Sequence, residues 1–262
     1  MSAQTKSQAK LTGYKAWDRT TRWFHWVNVA CVIGLAGLGL VILNEKSFGV
    51  SPDGKVLLKT LHAYVGYVFA INLGWRFVWA FIGSERARWR GLLPFGAGYA
   101  RSLRQYVRGF RMGKAPDYLG HNPLGRLMVL ALLILLLTQA ATGLVLAGTD
   151  LYKPPFGGLF AEWVTKGDPD KLAILVPGSK DAVDPVAYED MRRFRKPFIT
   201  IHKFNIYALI TLSLLHILGV VVTEVRERNG LVSAMITGEK VFSARPIDIP
   251  EEQAPTEAEK HE

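Results

Sequence analysis

Cysteine is almost absent from this chain, which has one, Cys31, among 262 residues. A single thiol excludes a disulfide framework and any zinc site built on cysteine spacing. The motif C-x-x-C-H, which attaches haem covalently, is missing as well. Cys31 lies within a hydrophobic run, where its simplest role is that of a small packing residue.

Charged residues are scarce in four stretches, each close to the ~20 residues that span the hydrocarbon core of a bilayer. These stretches are 22–43, 60–82, 124–147 and 198–222. The first is too long for the apolar region of a secretory leader, and no small-residue cleavage site follows it, so we expect a retained helix. The pattern predicts an all-α integral membrane protein, a four-helix bundle, within a domain of residues 1–240.

The net charge of +10 does not indicate nucleic-acid binding, because lysine and arginine follow the connections between the runs. Residues 1–22 hold five of them and residues 83–122 hold eight, whereas residues 44–58 hold two. The connection 148–197 balances eight basic with eight acidic residues. By the positive-inside rule both termini are cytoplasmic and the 148–197 connection is external, since long loops cross the membrane largely regardless of charge.

Three segments outside the runs have their own signatures. Apolar residues at four- and three-residue spacing in 99–110, with arginines on the other face, predict an amphipathic helix. We favour contact with the anionic inner membrane surface for it over a fully solvated helix. The 148–197 connection is long and rich in proline and glycine, which indicates function or disorder. The acidic tail 241–262 is predicted to be disordered.

Two histidines, His202 and His216, lie fourteen residues apart in the last run. That spacing rises about 21 Å and makes nearly four whole helical turns, so both rings share one face near opposite membrane surfaces. With the amino terminus inside, His25 is placed at the inner level and His62 at the outer level. Helix direction therefore predicts two pairs, His25 with His216 and His62 with His202.

Haem iron is the group that best suits two opposed imidazoles in a helix bundle. Any one of these histidines could instead hydrogen-bond to another helix or reach the interface. Four histidines falling into two depth-matched pairs favour ligation, because ionisable side chains within the membrane usually mark a functional site. We expect two haem b groups, one on each pair.

Each of the other polar residues has two interpretations. Arg76 and Arg22 are candidates to bind a haem propionate, with extension to the lipid headgroups as the alternative for Arg76. Asn122 and Pro123 open the third run in the manner of a helix cap, which is the favoured role for Asn122. The alternative is a quinone headgroup pocket framed by His121, Asn122 and Gly125.

The motifs carrying these histidines resemble the bacterial cytochrome b561 and Ni,Fe-hydrogenase b-type cytochrome subunit family. The similar segments are "RWFHWVNVACVIGLAG", "KTLHAYVGY" with "WRFVWAFIGSERARW", "GHNPLG" with "TQAATGLVLAG", and the spacing of His202 and His216. The resemblance spans about residues 15–240. It implies a dihaem, four-helix, quinone-linked cytochrome b of the bacterial inner membrane, with all four histidines as haem ligands.

The function that follows is electron transfer across the inner membrane, as a subunit of a membrane oxidoreductase complex. Electrons would pass between the quinone pool and a periplasmic partner, namely a c-type cytochrome, a hydrogenase or another dehydrogenase. The length of the 148–197 connection favours a partner other than a hydrogenase. The alternative is a proton or metal transporter that uses histidine and arginine without haem.

Overall fold

The structure is a computed structural model that describes residues 11–249, and these residues are mostly helical. Besides a 3-10 turn at Glu85–Ala87, the elements are β1 (Thr12–Lys15), α1 (Arg19–Leu43), α2 (Pro52–Ile82), α3 (Trp89–Leu92), α4 (Tyr99–Arg111), α5 (Pro123–Leu151), α6 (Gly157–Thr165), α7 (Pro169–Ile174), α8 (Pro185–Glu227), α9 (Ala234–Thr237) and β2 (Glu239–Phe242). Four of the helices, α1, α2, α5 and α8, are long and apolar enough to cross a membrane. The predicted fold class, all-α with four membrane-spanning helices, is confirmed.

Two of the long helices begin earlier than their hydrophobic runs. α2 begins at Pro52 and α8 at Pro185, where the hydrophobic runs begin at about 60 and 198. Proline suits the first turn of a helix because its missing N–H would have no partner there. Asp184 caps α8 by accepting hydrogen bonds from the backbone N–H groups of Val186 (3.1 Å) and Ala187 (2.9 Å). These bonds, and the nearby ammonium of Lys166, lower the pKa of the Asp184 carboxyl.

The long connection between α5 and α8 is ordered and largely helical. It contains α6 and α7, and α8 has already begun at Pro185. Phe160, Val164, Val183 and Met191 form a buried cluster, in which Val164 is fully enclosed. The connection therefore has a small core of its own, which accounts for the apolar residues among its prolines and glycines.

The chain divides into two compact units, each of which takes a portion of all four long helices. The first unit comprises residues 11–22, 78–131 and 214–249 of the described chain, and the second comprises 23–77 and 132–213. In the second unit, Asn72 on α2 donates to the backbone carbonyl of Phe24 on α1 (3.1 Å). Asn205 on α8 donates to the carbonyl of Leu135 on α5 (2.9 Å). Side-chain amides thus connect neighbouring helices by donating hydrogen bonds to backbone carbonyl oxygens.

The predicted disorder of the tail 241–262 is wrong for residues 241–249. β2 pairs antiparallel with β1, and Phe242 and Ile249 are buried in a cluster of the first unit. The carboxylate of Asp248 accepts hydrogen bonds from the backbone N–H groups of Leu119 (2.7 Å) and Gly120 (2.8 Å). Alternate apolar side chains and one carboxylate anchor this segment despite its polar composition. Residues 250–262 of the predicted tail lie outside the described residues.

The amphipathic segment is a helix, α4, as predicted, but its aromatic face contacts protein. Tyr106 is buried, its hydroxyl donates to Glu227 (2.9 Å), and it accepts from the amide of Asn122 (2.6 Å). Burial, followed by the nearby Glu227 carboxylate, raises the pKa of the Tyr106 hydroxyl. The Tyr99 hydroxyl donates to the carbonyl of Pro123 (2.7 Å). The expected membrane contact of this aromatic face is therefore wrong at Tyr106, which is buried, and stays a prediction for the rest of the face.

We predict that Gly157→Ala destabilises the protein whereas Gly158→Ala does not. A Cβ at Gly157 would lie 2.2 Å from the carbonyl carbon and oxygen of Tyr152, so the start of α6 would have to move. A Cβ at Gly158 would meet no atom within 4 Å. Forced repacking of this kind costs about 1–3 kcal/mol, and alanine at an open helical position is neutral or gains up to about 1 kcal/mol.

Thermal unfolding of the two full-length variants in detergent provides the measurement. Equal midpoints for the two variants would contradict the close approach of α6 to Tyr152.

Candidate functional site

The imidazoles of His62 and His202 lie beside each other in the second unit. His62 is on α2 and His202 on α8. Their ring centroids are 6.2 Å apart, and the ring planes are inclined by 68°. This is the pair that helix direction predicted for the outer level.

Two glycines leave room for these rings. A Cβ at Gly39 on α1 would lie 3.5 Å from Cε1 of His62, and a Cβ at Gly143 on α5 would lie 3.3 Å from Cε1 of His202. Glycine allows membrane helices to approach each other closely. At these two glycines, an imidazole ring approaches the helix backbone. Each ring is thus held against the backbone of a neighbouring helix.

Both nitrogens of His202 have hydrogen-bond partners on α5. Nδ1 is 2.9 Å from the hydroxyl oxygen of Thr142, and Nε2 is 3.1 Å from the amide nitrogen of Gln139. The amide oxygen of Gln139 in turn accepts a hydrogen bond from Asn205 (2.6 Å). The interhelical hydrogen bond expected of Gln139 is therefore present.

His62 is partnered differently. Within residues 11–249, its Nδ1 is buried and has no hydrogen-bond partner. A buried imidazole nitrogen without a partner is costly, so it marks a position where a further group would be stabilising.

These residues fit a haem. The porphyrin supplies four of the iron ligands, so two imidazoles complete the set. Because a metal–imidazole bond is about 2 Å, two imidazoles on opposite sides of one ion place their ring centroids roughly 6–7 Å apart. The observed 6.2 Å agrees with that separation.

The second predicted pair is divided between the two units. His25 belongs to the second unit, where its ring meets Trp26 edge-on at 5.1 Å, and His216 belongs to the first. The pairing of His25 with His216 therefore stays a prediction.

The two candidate propionate partners have different surroundings. Arg76 is buried, and its guanidinium lies 5.7 Å from the centroid of the Phe24 ring. Arg22 donates to the backbone carbonyl of Ile236 and lies against Gly238, whose Cβ would be 3.4 Å from its guanidinium. Arg22 thus helps to hold the segment that leads into β2, and Arg76 is a cation embedded in an apolar stretch.

At the candidate quinone pocket, Asn122 has the capping role favoured for it. Its side-chain oxygen accepts from the backbone N–H of Gly125 (2.7 Å), while its amide donates to Tyr106. A Cβ at Gly125 would lie 3.2 Å from that oxygen, so glycine accommodates the cap. The ring of His121 packs on Trp17, with centroids 4.6 Å apart. A quinone pocket at these residues stays a prediction.

Sequence reasoning missed Thr142 and Asn205. Each follows another polar residue of the site by three positions, Thr142 after Gln139 and Asn205 after His202. Residues three apart share a helix face, so polar pairs at this spacing in otherwise apolar helices were the available signal.

Comparisons with known proteins agree with the geometry. The family model described as prokaryotic cytochrome b561 matches residues 16–238. A protein of Rhizobium leguminosarum is 26% identical over 244 residues, covering 87% of this chain and 89% of that protein. A protein of Rhodobacter capsulatus is 26% identical over 253 residues, covering 93% and 87%. One from Azotobacter vinelandii is 24% identical over 241 residues, covering 89% and 90%.

All three relatives are named as probable Ni/Fe-hydrogenase B-type cytochrome subunits. No solved structure gave a significant match.

We predict that Gly143→Val displaces the His202 ring, because its methyl groups would occupy the space of Cε1. The variant is expected to bind one haem fewer per chain than the parent protein. Gly74→Val is the matched control, since Gly74 lies on α2 with no atom within 4 Å of its Cβ position. Haem per chain in the purified proteins is the measurement, and an unchanged content in Gly143→Val would contradict the prediction.

Proposed function

The chain belongs to the prokaryotic cytochrome b561 family, and on that premise we propose that it carries electrons across the bacterial inner membrane between a periplasmic partner and the quinone pool. Membership makes it a membrane cytochrome of the b type, and its four apolar helices agree with this. The observation that carries the proposal is the juxtaposition of His62 and His202 at 6.2 Å.

His62 on α2 and His202 on α8 would hold one haem. When bound, haem supplies one-electron transfer at a potential set by its ligands and their surroundings. The chain's own contribution is to fix the rings, through Gly39 and Gly143 at their edges and hydrogen bonds from α5. The apolar helices around the rings exclude water.

His25 and His216 would hold a second haem toward the cytoplasmic side, on the argument from helix direction and spacing. Arg76 is one candidate for a propionate partner at this level, because a buried cation within a membrane-spanning helix usually marks a functional site. Arg22 is the other candidate, and its guanidinium also donates to Ile236.

The proposed topology puts both termini in the cytoplasm and the 148–197 connection in the periplasm. Helix α6 and the first turns of α8, which share a buried core, then provide an ordered surface for docking of a periplasmic partner. A hydrogenase replaces the partner that the length of the 148–197 connection favoured, because the relatives that align over most of both chains are named for that association. Quinone would react at the cytoplasmic side, near His121 and Asn122.

The histidine pairs generate a spectroscopic prediction. A reduced-minus-oxidised spectrum of the purified chain should show b-type bands from two haems. His202→Ala and His62→Ala are expected to lose the same haem, and His216→Ala and His25→Ala the other. Loss of one and the same haem in His202→Ala and His216→Ala would refute the pairing, and a haem-free parent protein would support the transporter alternative.

The partner generates a separate prediction. In membranes that contain the full chain and the hydrogenase of the same cell, H₂ should reduce the haems, and His202→Ala should abolish this reduction while dithionite still reduces the remaining haem. Haem reduction by H₂ that is unaffected in His202→Ala would show that electrons do not pass through the outer site.

A further inference from the structure

We propose that Thr142 is a positioning residue for the outer haem, which accepts a hydrogen bond from Nδ1–H of His202 and thereby presents Nε2 to the iron. The inference rests on the proposed ligation by His202, and it concerns a residue that family membership does not assign. It follows from two chains of hydrogen bonds that end on the two nitrogens of one ring.

The first chain starts at a backbone carbonyl of α5. The Thr142 hydroxyl lies 2.7 Å from the carbonyl oxygen of Thr138, which can only accept, so the hydroxyl hydrogen points there. The oxygen of Thr142 is then left with lone pairs facing His202 Nδ1 at 2.9 Å. Nδ1 must therefore carry the hydrogen of the neutral ring.

The second chain starts at another backbone carbonyl of α5. Asn205 faces the carbonyl of Leu135 at 2.9 Å, and that contact requires the amide nitrogen of Asn205. The same nitrogen lies 2.6 Å from the side chain of Gln139, which must present its oxygen there. The amide nitrogen of Gln139 then faces Nε2 of His202 at 3.1 Å as a donor, so Nε2 is the acceptor.

The two chains begin at different carbonyls, pass through different side chains and require the same tautomer. Iron binds the unprotonated nitrogen of a neutral imidazole, and the partner of the other nitrogen fixes the ring orientation and raises its basicity. Nε2 is thus the nitrogen that would bind iron, with the Gln139 amide giving up its hydrogen bond there when haem binds, and Thr142 is the partner of the other nitrogen. Thr142 is itself buried, so water does not replace it readily.

A more basic axial imidazole favours ferric over ferrous iron, so loss of this acceptor should raise the midpoint potential of one haem. Thr142→Val keeps the shape of the side chain and removes the hydroxyl. We expect about a tenfold change in the reduction equilibrium of the outer haem, which for one electron is ~59 mV. Thr142→Ser retains the hydroxyl and should keep the parent potential.

Thr138→Val is the matched control on the same helix. Thr138 also donates its hydroxyl to a backbone carbonyl, that of Ile134 at 2.9 Å, but it is only half-buried. A purely structural effect of losing a threonine hydroxyl from α5 would appear in both valine variants. An effect on the ligand would appear in Thr142→Val alone.

Potentiometric titration of the haem bands in the full-length protein is the test, with the outer haem identified as the one lost in His202→Ala. A raised potential of that haem in Thr142→Val, with Thr142→Ser and Thr138→Val unchanged, supports the proposal. Absence of that haem in Thr142→Val with its retention in Thr142→Ser and Thr138→Val supports it as well.

The proposal is overturned if both haems of Thr142→Val keep the potentials of the parent protein. It is also overturned if Thr142→Ser or Thr138→Val shows the same defect as Thr142→Val. If His202→Ala keeps both haems, the ligand assignment itself has failed, and that result is distinct from a failure at Thr142.

Discussion

An imidazole in the interior of a membrane protein needs a partner for each of its two nitrogens, since no water reaches them. His202 has both partners from one neighbouring helix, through Thr142 and Gln139. His62 has a buried Nδ1 for which the described residues offer no hydrogen bond. Hydrogen bonds from α5 therefore orient the His202 ring, whereas the His62 ring relies on its packing beside Gly39.

Polar groups in the first unit are held differently, by a network of hydrogen bonds and charge interactions. Lys240 on β2 is buried and donates to the carbonyls of Tyr118 (3.1 Å) and Gly120 (3.3 Å). Burial lowers its pKa to about 8, while the carboxylates of Asp248 and Glu227 act in the opposite direction. Below that pKa the buried ammonium is stabilised by these carboxylates, and its two hydrogen bonds join β2 to the segment that precedes α5.

The hydrophobic runs predicted the four long helices because a bilayer imposes their length and composition. The same reasoning could not locate the start of α8, since residues 185–197 are polar and their helix is set by Asp184 and Pro185 rather than by lipid. Composition also misjudged residues 241–249, where the burial of Phe242 and the two hydrogen bonds of Asp248 outweigh a polar average. The pairing of His62 with His202 was predictable because helical rise and direction are fixed by geometry.

Thr142 was not predictable from its own neighbourhood, because threonine in an apolar helix commonly bonds to its own backbone and has no further role. What distinguishes Thr142 is the way α5 is aligned with α8. Gln139 and Thr142 on α5 face His202 and Asn205 on α8, and the members of each pair are three positions apart. Sliding either helix by one residue would rotate its pair by about 100° and break every one of these bonds. The hydrogen bonds that select the ligand nitrogen therefore also fix how α5 and α8 are aligned.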